Sequence, residues 1–66
     1  MQFKERIKNL RLSLNKNQHE MASYLGVSIK TYNLIENGSI KLRFKTIEKI
    51  SNATGWSVKT IRKELY

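Results

Sequence analysis

The apolar residues of this chain fall in short stripes at helical spacing, and every stripe is cut off within a few turns by asparagine or glycine. Phe3, Ile7, Leu10 and Leu14 recur at intervals of four, three and four, which places them on one side of a helix over residues 2–14. The stripe stops at "NKN", where Asn15 can take a left-handed conformation at low cost and Asn17 can cap the next helix. Glu20 stands three residues after Asn17, the spacing at which a capping side chain and a glutamate satisfy each other's backbone N–H groups. Met21, Ala22 and Leu25 give a second helix, 18–25, its inner face, and Gly26 ends it.

The pattern then repeats. Ser28 is a good N-cap for a third helix, 28–37, whose inner residues are Tyr32 and Ile35 and whose end is marked by Asn37-Gly38. "SIKLR" lacks helical periodicity and reads as a loop. Ile47, Ile50 and Ala53 define a fourth helix, 44–54, broken at Gly55. Ser57 can cap a fifth, 57–65, with Val58, Ile61 and Leu65 as its stripe. With no proline and no sustained alternation of polar and apolar residues, the chain is expected to form a single all-α domain over residues 1–66. At that length it buries only about 60% of the surface its unfolded chain exposes. With no cysteine, nothing covalent staples it, and helix packing has to hold it together.

Charge narrows the function. Thirteen Lys and Arg stand against five Glu, a formal net charge of +8, so the chain should associate with polyanions, of which nucleic acid is the commonest in a cell. An anionic membrane surface is the rival, disfavoured by the capped, separate helical stripes. No apolar run approaches a membrane span and the first residues are not a signal peptide, so a soluble, cytoplasmic protein is expected. Catalysis is poorly provided for. There is one His, no Cys and no Asp; no nucleophile is paired with a base, no metal ligands cluster, and no cofactor is called for. His19 reads as an exposed polar residue in a first turn.

The segment from Asn17 to Gly38 carries the sharper signal. Two helices joined by a three- or four-residue turn and crossing steeply need a small residue at their approach, a flexible turn residue and apolar contacts beyond it. Ala22, Gly26, Val27, Tyr32 and Ile35 supply these in order. The spacing fits an ordinary helical hairpin as well as a DNA-binding helix-turn-helix. At 100° per residue, Lys30, Asn33, Leu34 and Asn37 point away from Tyr32 and Ile35, and three of the four can hydrogen-bond. Glu36 turns toward the inner side, where a carboxylate needs a cation to meet it.

The ordered set "RLSLNKNQ" (11–18), "QHEMA" (18–22), "LGVS" (25–28), "IENG" (35–38) and "ATGWSVKTI" (53–61) resembles the helix-turn-helix domain of the lambdoid phage repressors and Cro proteins, the XRE family. The resemblance spans nearly the whole chain and implies a compact, five-helix lambda-repressor-like fold. It further implies a transcriptional regulator that binds a two-fold DNA operator as a homodimer, with the third helix in the major groove. By position, Asn17 and Gln18 would grip a phosphate at the start of the second helix. Ile29, Lys30, Asn33 and Leu34 would reach base edges; Ser28, Thr31, Asn37, Lys41 and Arg43 would track the DNA backbone, with Arg43 near the minor groove. Arg11 would be the cation that answers Glu36. Trp56, Leu65 and Tyr66 are the candidates for a dimer contact.

Three departures from the family pattern stand out. Lys16 occupies a position that is usually apolar, which would pass part of that contact to Leu14. Tyr32 replaces a more typical aliphatic residue. Ile29 and Leu34 place apolar side chains where polar readers are common; they suit thymine methyls, but they also suit a protein surface. An antirepressor or antitoxin-type module that pairs with a partner regulator through the third helix is therefore the alternative.

Overall fold

The computed structural model describes residues 2–38 and 41–65. They form five helices in the expected order: α1 (Phe3–Ser13), α2 (Gln18–Leu25), α3 (Ile29–Asn37), α4 (Phe44–Thr54) and α5 (Val58–Leu65). The breaks between them carry the expected local chemistry. Leu14 is the C-cap of α1, and Asn15 comes next with φ 55°, the only positive φ outside glycine among the described residues. Asn17 closes a full capping box: its Oδ1 accepts the Glu20 N–H at 2.8 Å, and Glu20 Oε1 accepts the Asn17 N–H at 2.9 Å. Gly26 ends α2 in the left-handed region at φ 77°, and the Val27 N–H reaches back to the Ala22 carbonyl at 3.0 Å.

"SIKT" and "SVKT" start α3 and α5 by the same device. Ser28 Oγ accepts the Thr31 N–H and Ser57 Oγ accepts the Thr60 N–H, both at 3.1 Å. In each, the serine hydroxyl also donates to the threonine hydroxyl, at 3.0 and 2.8 Å. The start of α4 lacks such a side-chain cap at Arg43.

The core draws on every helix: Phe3 and Ile7 from α1, Met21, Ala22 and Leu25 from α2, Tyr32 and Ile35 from α3, Ile47 and Ile50 from α4, and Ile61 from α5. Leu42, in the segment read as a loop, is buried with them. α3 packs on α2 and α1, α2 also on α4, and α5 on α4 and α1, so the two helices around Gly26 are held from both sides. Leu14 departs from expectation. The helix ends at Ser13, and Leu14 is 41% exposed rather than part of the α1 stripe. Lys16 itself lies half-buried, with Nζ 5.3 Å from the centre of the Tyr24 ring. Tyr24 in turn donates its hydroxyl to the Ala53 carbonyl at 2.7 Å, joining α2 to α4.

Trp56 is drawn inward. Its ring meets Phe3 edge-on at 6.1 Å and 85°, and the Arg6 guanidinium covers it at 5.4 Å while making two 2.6 Å bonds to Glu64. Trp56, partly buried, thus ties the turn between α4 and α5 to α1, while Arg6–Glu64 joins α1 to α5. Leu65 is half-buried against the core, and Tyr66 lies outside the described residues.

The steric demand at the α2–α3 turn can be tested at Gly26. A Cβ there would meet only Lys49 Cδ, at 3.8 Å, so replacement by alanine should cost only the left-handed backbone penalty, about 1–2 kcal/mol. Urea unfolding of Gly26→Ala measures it, and a loss well above that range would mean the turn has no room for a methyl group.

Candidate nucleic-acid interface

The start of α2 and the end of α3 come together through one largely shielded carboxylate. Glu36 sits near the end of α3 with its side chain 7% exposed, beside an Arg11 side chain that is 13% exposed. Arg11 Nε donates to Glu36 Oε2 at 2.6 Å, and its Nη1 donates to the Lys16 carbonyl at 3.2 Å, bracing the turn that leads into α2. Gln18 Nε2 donates to Glu36 Oε1 at 3.1 Å, and the Tyr32 hydroxyl donates to Oε2. One carboxylate thereby links α1, α2 and α3.

The electrostatics result from that geometry. Burial alone would raise the Glu36 pKa, but hydrogen bonds from Arg11, Tyr32 and Gln18 outweigh it, and the carboxyl titrates below its usual value. The bond to Glu36 raises the Arg11 pKa. Burial, reinforced by the bond to Glu36, pushes the Tyr32 hydroxyl well above its usual range, so it remains a proton donor. Between α1 and α5 the bond from Arg6 likewise lowers the Glu64 carboxyl.

Around this junction the anticipated phosphate contacts are unevenly placed. Asn17 is exposed, but its Oδ1 is committed to the capping box. The N–H groups of Gln18 and His19 are those that a helix start leaves open, and the α2 dipole favours an anion there. Gln18 has one amide hydrogen engaged by Glu36 and a second still to give. Ser28 and Thr31 bond to one another. Asn37, Lys41 and Arg43 are exposed, and Lys41 and Arg43 line a shallow cleft with Thr31, Leu42 and Thr46. Thr46 was not anticipated, because nothing in its spacing sets it apart from the rest of α4.

The four anticipated base-facing residues also divide. Lys30 is exposed; Asn33 and Leu34 are half-buried. Ile29 is packed against the core, where the first turn of α3 meets the rest of the domain. Asn33 Oδ1 is buried without a hydrogen-bond partner among the described residues. Outside this face, Phe44 at the start of α4 is 56% exposed and Leu12 is 53% exposed; neither was singled out in the sequence, since Phe44 falls before the α4 stripe and Leu12 off the α1 stripe. Lys49 Nζ donates to the Gly26 carbonyl at 3.3 Å, supporting the end of α2. Among the described residues there is no group of His and Glu side chains that could hold a metal, and no helix is long and apolar enough to cross a membrane.

A sequence model of the helix-turn-helix family matches residues 7–61, from the middle of α1 into α5. The chain belongs to that family, in its phage-repressor (XRE) branch. It is 34% identical over 58 residues to the cryptic phage CTXphi transcriptional repressor RstR of Vibrio cholerae serotype O1 (strain ATCC 39315 / El Tor Inaba N16961), covering 88% of this chain and 52% of that protein. It is 38% identical over 55 residues to the SPbeta prophage-derived uncharacterized HTH-type transcriptional regulator YonR of Bacillus subtilis (strain 168), covering 83% of this chain and 51% of that one. The chain thus spans about half the length of these curated relatives. No solved structure matches it significantly.

The pH dependence of stability tests the junction. Because the folded-state pKa of Glu36 is lowered, its contribution is complete above the unfolded value, about pH 4.3, and is lost as pH falls below that. Arg11→Met leaves the carboxylate buried without its cation, which should cost about 3 kcal/mol at pH 7. That deficit should shrink toward pH 4, where Glu36 of the variant is protonated. Denaturant melts of both proteins from pH 7 to 3 check this; a deficit independent of pH would mean that Arg11 acts through packing alone.

Proposed function

We propose that the protein is a DNA-binding transcriptional regulator of the phage-repressor type, a homodimer on a two-fold operator. The observation that carries the reading is the Glu36 junction. It fixes the α2 N-terminus, with Gln18 and the open N–H groups, to the last turn of α3, the helix on which Lys30 is exposed. Anion-binding groups and a donor-bearing helix face on one edge are what a module needs to grip phosphates and read bases in the major groove. Asn17, Gln18, Asn37, Lys41 and Arg43 take the backbone, with Ser28 and Thr31 flanking. Lys30 is the leading base reader, donating to guanine O6 and N7, with Asn33 and Leu34 at its sides. Ile29 acts mainly by seating the first turn of α3.

The names of RstR and YonR, a repressor and a regulator, accord with this reading. It assigns the chain binding rather than catalysis, in the cytoplasm, without a cofactor. The antirepressor or antitoxin alternative rested on Ile29 and Leu34 as exposed apolar residues, and the packing of Ile29 on the core removes half of that motive.

Binding to duplex DNA should fall steeply with salt, with a log–log slope of about −4 for a dimer in which Lys41 and Arg43 of each chain neutralise one phosphate apiece. A flat response in a fluorescence titration would contradict the proposal. Lys30→Ala should relax preference at one base pair by about 1–3 kcal/mol, while Gln18→Ala should weaken all duplexes alike. Competition binding against a panel of singly substituted duplexes separates the two effects, and identical profiles for the two variants would remove α3 from its reading role.

A further inference from the structure

Tyr32 is fully buried, and its ring belongs to the core. An aliphatic residue would fill that role without a hydroxyl, yet here a hydroxyl reaches the one carboxylate that joins three helices. Arg11 alone does not lock that carboxylate. Its Nε holds Oε2 at 2.6 Å, but Nη2 stands 3.5 Å from Oε1, too far for a firm second bond. A carboxylate gripped at one oxygen can pivot about it. The Tyr32 hydroxyl supplies a second donor to Oε2 from within α3 itself, and Oε1 is then presented to Gln18 Nε2 at 3.1 Å.

An amide nitrogen carries two hydrogens. One of Gln18's is engaged by Glu36, and that bond sets the orientation of the other.

We propose that Tyr32 is a positioning residue for the phosphate grip: its hydroxyl holds the Glu36 carboxylate in the plane that orients the Gln18 amide at the α2 N-terminus. This rests on the DNA-binding reading and adds a group that never touches DNA. Burial keeps the hydroxyl protonated, so it acts as a fixed donor wherever Glu36 is ionised. It also ties backbone grip to base reading, because Tyr32 lies on the reading helix and Gln18 on the gripping one.

A double-mutant cycle tests it, using the wild-type chain, Tyr32→Phe, Gln18→Ala and the double variant against one duplex recovered by selection from a random pool. Tyr32→Phe keeps the ring, and circular dichroism with thermal melts confirms that each variant is folded at the assay temperature. In the wild-type background Tyr32→Phe should weaken binding by about threefold to tenfold and leave the salt slope unchanged, because a neutral amide releases no counterion. In the Gln18→Ala background it should have no further effect. The side-chain amide protons of Gln18 should shift in the NMR spectrum of free Tyr32→Phe. The proposal is overturned if Tyr32→Phe binds like wild type, if its loss persists undiminished without Gln18, or if Gln18→Ala itself binds like wild type. A wild-type protein that selects and binds no duplex brings down the DNA reading, and this proposal with it; binding with additive losses brings down this proposal alone.

Discussion

A single negative charge, that of Glu36, is the constraint around which the domain is arranged. A carboxylate only 7% exposed is tolerable in so small a core only if donors surround it. Arg11, Gln18 and Tyr32 do so from three helices. The same donors are separated by 25, 18 and 4 positions in sequence, so satisfying one charge also brings the α1 end, the α2 start and the α3 end to one place. Packing of Met21, Ala22, Leu25, Tyr32 and Ile35 supplies the apolar part of that assembly. The carboxylate adds a polar requirement that this arrangement meets with three donors.

This arrangement has a consequence for binding. The α2 N-terminus and the α3 outer face belong to different helices, and a turn of a few residues around Gly26 would let them hinge. The Gln18–Glu36 bond spans that hinge at its open end, while Lys49 supports the Gly26 carbonyl at the other. A surface organised before the ligand arrives loses less entropy on binding. The second ion pair, Arg6–Glu64, fastens α1 to α5, and the Arg6 guanidinium lies over the partly buried Trp56 ring.

The helices were legible in the sequence because their boundaries are written in local chemistry. Asn15, Asn17 with Glu20, Gly26, Ser28, Gly38 and Ser57 each act within four residues of themselves, and helical stripes average over several turns. Single positions at the margins were not legible. Leu14 fits the α1 stripe by spacing, but it is the C-cap, one residue past the end of the helix, and turns outward. Leu42 has no periodic neighbours to mark it as core. Ile29 and Asn33 lie on the flank of α3, where a helical wheel cannot tell an outward side chain from one leaning on the neighbouring helix. The need of Glu36 for a cation was readable from its inward direction, whereas its partners were not. Arg11 came from the family resemblance, and the Tyr32 hydroxyl and Gln18 amide depend on tertiary distances that no spacing encodes.

The central claim is that one edge of the molecule, the α2 start, the α3 outer face and the segment around Lys41 and Arg43, receives DNA. The most direct measurement is the change in backbone amide resonances of isotope-labelled protein on adding a short duplex recovered by selection. The account predicts the largest shifts at residues 17–19, 28–34 and 41–43, with α5 and the outer face of α1 nearly unmoved. Shifts centred on α1 or α5, with α3 silent, would contradict it.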